Sequence, residues 1–193
     1  PKTDKKAKSN VVAVQKLGIK KVIVIDPFYN KIDRTISETS VYSIADKNQQ
    51  DLVEFIKMNA KSRKIGCEII DPGNFTADNM AAFNDYSVIN DWFNERLEGG
   101  DTQNCPLFNS DEIPQIIKKY GTSYFLWSGV YTIKYNEKVN MLKHYNSTFY
   151  YSLLFDIQTG KLISKQFITA GTSDTDFHIK DYVEDTFQDI SEK

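Results

Sequence analysis

The sequence predicts a single α/β domain, in which a mixed sheet of about five strands packs against helices in the order β-α-β-α-α-β-β-β-α. Its 193 residues suit one large domain, which buries enough apolar surface to need no disulfide or metal. In the first part of the chain, strand-like and helix-like hydrophobic periods alternate, which is typical of right-handed crossovers and parallel pairing. In the last part, three strand-like segments follow one another and predict an antiparallel meander.

The first strand is predicted at Lys21–Phe28, where a run of β-branched residues is typical of a strand buried on both faces. Asp26-Pro27 should end this strand, because proline has no backbone N–H to pair. The connection Asn30–Ser43 is polar, and we expect it to be irregular. Apolar residues at helical spacing then predict a helix within Ile44–Lys64.

A short strand at Cys67–Ile70, closed by the turn Asp71-Pro72-Gly73, precedes the second helix. Thr76 can cap this helix, which should break near Asp85 and stop at Gly99-Gly100. Its apolar positions are Met80, Phe83, Ile89, Phe93 and Leu97.

The third helix is capped by Ser110 or Asp111 and ends at Gly121. Its apolar stripe consists of Ile113, Ile116, Ile117 and Tyr120. The hydrophobic period then changes to two, which predicts strands at Tyr124–Tyr135 and Phe149–Asp156.

Gln158-Thr159-Gly160 predicts a hairpin loop, and Leu162–Thr169 is the returning strand. Asp174 or Thr175 can cap the last helix. Its predicted inward face consists of Ile179, Tyr182, Val183, Phe187 and Ile190, and its outer face carries Asp181, Glu184, Asp185, Asp189 and Glu192.

Charge is unevenly distributed around a formal net charge of −2, which provides no global positive field for nucleic acid. Pro1–Lys21 contains seven Lys and one Asp. Pro1–Asn10 has almost no apolar content, so we expect residues 1–20 to be a flexible basic tether and residues 21–193 to be the domain. A basic patch for anionic lipid or nucleic acid is the alternative for this segment. Because the chain begins at Pro rather than Met, we expect a processed or truncated amino terminus.

The cysteines and histidines do not form a metal-binding pattern, and no cofactor is expected. Cys67 and Cys105 lack the spacing and neighbouring His of zinc sites, and they are either bonded to each other or two unpaired small hydrophobic residues. His144 and His178 lie in different elements. Phosphate-binding glycine loops and serine nucleophile elbows are also absent from the sequence.

Three aspartates that follow predicted strands are the best indication of an enzyme. Asp26, Asp71 and Asp156 could hold Mg²⁺ if they met at one edge of the sheet. Aspartate is also frequent at strand exits because it accepts hydrogen bonds from turn N–H groups. The meander is expected to place Asp156 away from the other two, so a Mg²⁺-dependent enzyme is kept only as an alternative.

Five tyrosines cluster on or beside the predicted meander: Tyr131, Tyr135, Tyr145, Tyr150 and Tyr151. Tyrosine combines a large contact area with a polar tip, which suits interfaces. A second alternative function, a small-molecule module, would use aromatic side chains to line a pocket. The candidate partner surface consists of Tyr131, Tyr135, Tyr145 and Tyr150.

Three stretches carry a family resemblance: Ile23–Phe28 (IVIDPF), Ile116–Thr132 with Gly129 in mid-strand, and Leu153–Ile163 with its D-x-x-T-G turn. Together with the closing helix, they resemble a family of bacterial envelope domains. The family includes the amino-terminal domain of TolB, the curli-secretion lipoprotein and the lipoprotein activators of penicillin-binding proteins.

The resemblance implies a non-enzymatic interaction domain of the periplasm or outer membrane, which binds a protein partner. Any membrane association would come from a lipid anchor upstream of Pro1. We do not expect the β-propeller of the Tol type, because the predicted domain leaves no chain for one. We do not expect the membrane hairpins of the curli type either, because Asn30–Ser43 and Asn136–Ser147 are too polar and irregular for lipid-facing strands. The partner's identity and the oligomeric state do not follow from the sequence.

Overall fold

The computed structural model of the chain describes residues 17–34, 41–44, 46–74, 80–98, 112–136, 144–172 and 179–191. Its strands are β1 (Lys21–Asp33), β2 (Val41–Ile44), β3 (Gly66–Ile70), β4 (Tyr124–Asn136), β5 (His144–Asp156) and β6 (Lys161–Thr172). Its helices are α1 (Asp46–Ser62), α2 (Met80–Glu98), α3 (Glu112–Tyr120) and α4 (Ile179–Ile190). The predicted α/β class with a mixed sheet is confirmed, and β2 is a strand that the prediction lacked.

The sheet has the order β2-β1-β4-β5-β6, with β3 also paired to β1. β1 runs parallel to β3 and β4, whereas β4, β5 and β6 form the predicted antiparallel meander. The first half of β1, Lys21–Ile25, pairs with β3, and its second half, Asn30–Asp33, pairs with β2. β1 therefore has β4 along one side and two short strands in succession along the other.

β1 does not end at Asp26-Pro27, so that prediction is wrong. Pairing with β4 steps from Ile25↔Trp127 to Phe28↔Gly129, so Asp26 and Pro27 together oppose the single residue Ser128. This β-bulge accommodates proline's missing N–H, because pairing skips the bulged residues and then resumes. Asp26 takes the left-handed conformation at φ 43°, which aspartate tolerates better than most residues.

Other predicted boundaries also move. The segments predicted to be irregular belong partly to strands, since β1 reaches Asp33, β2 begins at Val41 and β5 begins at His144. Helix α2 continues through Asp85 without the predicted break. Two of its predicted apolar positions, Met80 and Phe83, are exposed.

Each face of the sheet carries its own core, because successive strand residues point to opposite sides. We call the two sides the α1–α4 face and the α2–α3 face, after the helices that pack there. The first contains Val22, Val24, Leu126, Leu154, Leu52, Ile56, Val183 and Phe187. The second contains Ile23, Ile25, Phe125, Trp127, Phe155, Ile89, Trp92, Phe93, Ile113 and Ile116.

The folded region begins before the predicted boundary at Lys21. Ile19 is buried, and its N–H donates to the carbonyl oxygen of Ile190 at 3.3 Å. The end of the predicted tether is therefore part of the domain. Residues 1–16 lie outside the described residues, and for them the tether stays a prediction.

The packing of α4 generates a paired stability prediction. Phe187 is fully buried, whereas the side chain of Glu184 is 52% exposed and pairs with Arg63 at 3.5 Å. We expect Phe187→Ala to lower the free energy of unfolding by about 3 kcal/mol, through lost burial and a cavity. Glu184→Lys should lower it by at most about 1 kcal/mol, because exposed ion pairs contribute little. Urea denaturation measures both, and equal losses would show that the buried face of α4 has been assigned wrongly.

Candidate functional site

The bulge in β1 brings Phe28 onto the backbone of β4. Phe28 opposes Gly129, and a Cβ atom built on Gly129 would lie 2.7 Å from two atoms of the Phe28 ring. It would also lie 3.0 Å from the ring of Tyr151. Only glycine leaves room for this approach, so the Pro-Phe motif of β1 and the mid-strand glycine of β4 form one packing unit.

Aromatic rings continue from Phe28 across the meander. The Phe28 centroid lies 4.9 Å from that of Tyr131 and 5.7 Å from that of Tyr151. Phe149 and Phe167 form a second pair at 6.2 Å. The register opposes Tyr131 to Phe149 and Tyr151 to Phe167, so all five rings share one side of the sheet. We call these five residues, Phe28, Tyr131, Phe149, Tyr151 and Phe167, the aromatic face.

The aromatic face continues the α2–α3 face from its core, against which Tyr151 packs, to the exposed Phe167. Helices α2 and α3 pack on the first halves of β1 and β4, at Ile23, Ile25, Phe125 and Trp127. Four residues of the aromatic face are half-buried, and Phe167 is 55% exposed. Exposed and half-buried rings grouped on one side of a sheet make this face a candidate binding surface.

Two of the four predicted surface tyrosines border this face. Tyr131 belongs to it, and Tyr135, four residues along β4, lies on the same side and is half-buried. The backbone of Tyr145 pairs with that of Tyr135, but its side chain lies outside the described part of the chain.

Tyr150 is not a surface residue, and its prediction is wrong. It points to the α1–α4 face, is 1% exposed, and its hydroxyl lies 2.9 Å from Thr186 Oγ1 and 3.4 Å from Ser128 Oγ. Burial raises the pKa of the Tyr150 hydroxyl, so it is a neutral hydrogen-bonding group. The prediction failed because a run of tyrosines does not reveal which side of a strand a helix will cover.

The predicted partner surface omits four residues of the aromatic face: Phe28, Phe149, Phe167 and Tyr151, although Tyr151 belongs to the predicted tyrosine cluster. The only signal for Phe149 and Tyr151 is their alternation in β5. That signal becomes informative only when the register places them opposite Tyr131 and Gly129. Phe28 could not be found by alternation, because the bulge changes the side to which it points.

An acidic group borders the aromatic face at the bulge. The Tyr86 hydroxyl donates to Asp26 Oδ2 at 3.2 Å. Burial raises the pKa of the Asp26 carboxyl, the Tyr86 hydrogen bond opposes that rise, and the nearby charge of Asp71 adds to it. Burial, followed by Asp26 and Asp71, raises the pKa of Tyr86 to about 12.

The three strand-end aspartates do not meet. Asp156 pairs with Tyr124 at the start of β4 and closes the β5–β6 turn, where it accepts hydrogen bonds from the Gln158 N–H and the Thr159 hydroxyl. Only Asp26 and Asp71 approach each other, and the described residues contain no cluster of three metal-ligating side chains. A Mg²⁺ site with three aspartates therefore does not fit this arrangement.

The other candidate chemistries have similarly weak support. Trp127 stacks on Phe93 with centroids 4.3 Å apart, so these rings fill a core rather than line a pocket. Cys67 is a half-buried free thiol whose pKa burial raises to about 11, which makes it unreactive. Cys105 and His178, like the side chain of His144, lie outside the described residues. No described helix is both long and apolar enough to cross a membrane.

The Phe28–Gly129 approach generates a double-mutant prediction. We expect Gly129→Ala to lower the free energy of unfolding by about 2 kcal/mol, because the added methyl collides with the Phe28 ring. In a Phe28→Ala background, the same substitution should cost about half as much or less. Chemical denaturation of the four proteins measures the coupling, and strictly additive losses would contradict it.

The raised pKa of Asp26 predicts a pH-dependent stability difference. Between the pKa of the unfolded chain and the higher pKa of the folded one, the folded state binds more protons, so stability falls as pH rises through this window. The cost persists at neutral pH. Asp26→Asn keeps an acceptor for Tyr86 and tolerates the left-handed backbone. It should therefore melt higher than wild type at pH 7, and this advantage should disappear below about pH 4.

Tyr86→Phe should change stability at pH 7 in the direction opposite to that of Asp26→Asn. Loss of the hydrogen bond should lower stability at pH 7 by about 1 kcal/mol, which is about 2–4 °C in melting temperature for a domain of this size. The loss should be smaller below about pH 4, where Asp26 is protonated. Melting curves that shift equally at both pH values for both variants would show that Asp26 does not titrate abnormally.

No protein-family model and no curated protein sequence matches the chain significantly. Three similar solved structures are PelC of Paraburkholderia phytofirmans, lipoprotein GNA1162 of Neisseria meningitidis and the LpoB C-terminal domain of Salmonella enterica. The PelC structure, a dodecamer, is 8% identical to this chain and has a TM-score of 0.49. The match covers 96% of this chain and 99% of the PelC chain. GNA1162 has 11% identity and a TM-score of 0.40, covering 86% and 93%. The LpoB domain has 13% identity and a TM-score of 0.35, covering 81% and 87%.

Proposed function

We propose that this protein is a non-enzymatic interaction domain of the bacterial cell envelope, which binds a protein partner through the aromatic face. The observation that carries the proposal is the group of five neighbouring rings on one side of the sheet, with Phe167 55% exposed. Phenylalanine and tyrosine bury large areas at little entropic cost, and they are enriched in the centres of protein interfaces.

The shape of the surface also favours a protein partner. The rings lie on β1, β4, β5 and β6, which are hydrogen-bonded to one another, so the sheet holds them at fixed spacing. A preorganised surface of this kind loses little conformational entropy on binding. The net charge of −2 does not favour nucleic acid, for which stacked bases would also require a basic surface.

The envelope location rests on the family resemblance of the sequence. Two of the motifs that carry the resemblance, the Pro-Phe of β1 and Gly129, meet in the packing unit that supports the aromatic face. Periplasmic or outer-membrane residence, with a lipid anchor before Pro1, is part of the proposal. A role without catalysis is consistent with the separation of Asp156 from Asp26 and Asp71.

Photocrosslinking from matched positions tests the proposal. Phe167 on the aromatic face and Met58 on α1 are similarly exposed, at 55% and 53%, but lie on opposite sides of the sheet. With p-benzoylphenylalanine at each position, envelope preparations of the source organism should give a discrete protein adduct from position 167 and none from position 58.

The captured protein then allows a direct affinity measurement. We expect Phe167→Ser to weaken its binding by about tenfold or more, and Met58→Ser to leave it unchanged. Both positions are exposed, so neither variant should change the free energy of unfolding by more than about 0.5 kcal/mol. Equal adducts from both positions, or equal affinities of both variants, would reject the aromatic face as the binding surface.

A further inference from the structure

We infer that the segment of the partner that covers the aromatic face carries an arginine, whose guanidinium group contacts Asp26 and lies against the rings of Tyr131 and Tyr151. The inference rests on the proposed function, and it specifies the chemistry of the partner. It follows from the position of the bulge, the charges around it and the orientation of the rings.

The carboxylates and the rings form one continuous surface. Asp26 precedes Phe28 by two residues, and its carboxylate accepts a hydrogen bond from Tyr86 at 3.2 Å, which places it on the α2–α3 face. Burial raises the pKa of the Tyr151 hydroxyl, and Tyr131 and the charge of Asp26 add to that rise. Tyr131 and Tyr151 are stacked with centroids 6.5 Å apart and an interplanar angle of 27°. Asp71 interacts electrostatically with both Asp26 and Tyr86. Asp26, Tyr131 and Tyr151 lie on strands, Tyr86 lies on α2, and Asp71 follows β3. All five side chains are half-buried, so each keeps some contact with solvent.

Charge complementarity identifies the occupant. Besides burial, the groups that shift the pKa of Asp26 are the neutral Tyr86 and the acidic Asp71. None of the ion pairs among the described residues includes Asp26. A cation supplied by the partner would compensate the charge of Asp26. A neutral or acidic segment would instead bury Asp26 further without compensating its charge.

The aromatic rings favour arginine over lysine. A guanidinium group is planar, donates two parallel hydrogen bonds to a carboxylate, and stacks on aromatic rings at the same time. An ammonium group forms the ion pair but does not offer a flat surface to the rings. The hydrogen bond from Tyr86 holds the Asp26 carboxylate on the same side of the sheet as the stacked Tyr131–Tyr151 pair, so one face offers both interactions.

Titration with a minimal probe tests the inference without the partner. N-acetyl-arginine N-methylamide is added to isotope-labelled protein, and the ring signals of Tyr131 and Tyr151 and the backbone amide of Phe28 are followed by NMR. The matched probe is the citrulline analogue, which keeps the shape but carries no charge. We expect the arginine probe to cause saturable shifts. The citrulline probe should bind with an affinity at least about tenfold lower.

Two variants localise the effect. Asp26→Asn should weaken arginine binding by about tenfold or more. Asp156→Asn, which removes a carboxylate from the distant β5–β6 turn, should leave the binding unchanged. Overturning results are the absence of saturable shifts, equal affinity for citrulline, or unchanged affinity in Asp26→Asn. The same shifts on raising the protein concentration alone would also overturn the inference, since they would identify a second copy of the chain as the occupant.

The captured partner separates this inference from the proposed function. If position 167 gives its adduct but Asp26→Asn binds the partner with wild-type affinity, the aromatic face is the binding surface. In that case the inference that a partner arginine contacts Asp26 is wrong. If position 167 gives no specific adduct, the proposed function itself fails.

Discussion

The contact between the Phe28 ring and the backbone of Gly129 is the constraint on which the rest of the sheet depends. Ile23 and Ile25 face α2 and α3, and an uninterrupted β1 would place Pro27 and Tyr29 on that side as well. The bulge opposes two residues of β1 to one of β4, so the alternation changes. Phe28 then shares a side with Ile25, and Tyr29 joins the opposite core.

The change of side has consequences on both faces. On the α1–α4 face, Tyr29 is buried and its hydroxyl lies 3.1 Å from Thr132 Oγ1. Further along the same face, the Tyr150 hydroxyl meets Thr186 of α4. Both buried hydroxyls are therefore satisfied, as the low-polarity core requires. On the other face, the bulge places Phe28 beside Tyr131 and Tyr151, at the margin of the α2–α3 core. One side of the second half of the sheet becomes core and the other becomes the candidate binding surface.

The sequence predicts those elements whose signals are local. The stripe of α4, the positive-φ turn at Gly160 and the helix end at Gly121 each follow from a few neighbouring residues, and the structure confirms them. The extension of β1 and the burial of Tyr150 depend on pairing between distant segments. Proline normally ends a strand, and only the partner strand shows that pairing resumes at Phe28. Only part of the aromatic face was predicted, for the same reason. The tyrosines are visible in the sequence, but the area of the sheet that the helices cover is not.

The acidic group at Asp26, which borders the aromatic face, could not be predicted from its neighbours in the sequence. As a residue before proline it resembles an ordinary strand exit, but the structure places it within the strand, in a left-handed backbone conformation, half-buried and beside Asp71. Asparagine would tolerate the same backbone, accept the same hydrogen bond from Tyr86 and avoid the cost of a buried charge at neutral pH. Folding alone therefore favours asparagine over aspartate at this position. A charge that costs stability and borders the exposed rings is best explained by what binds there, since a cationic group would turn the cost of Asp26 into binding energy.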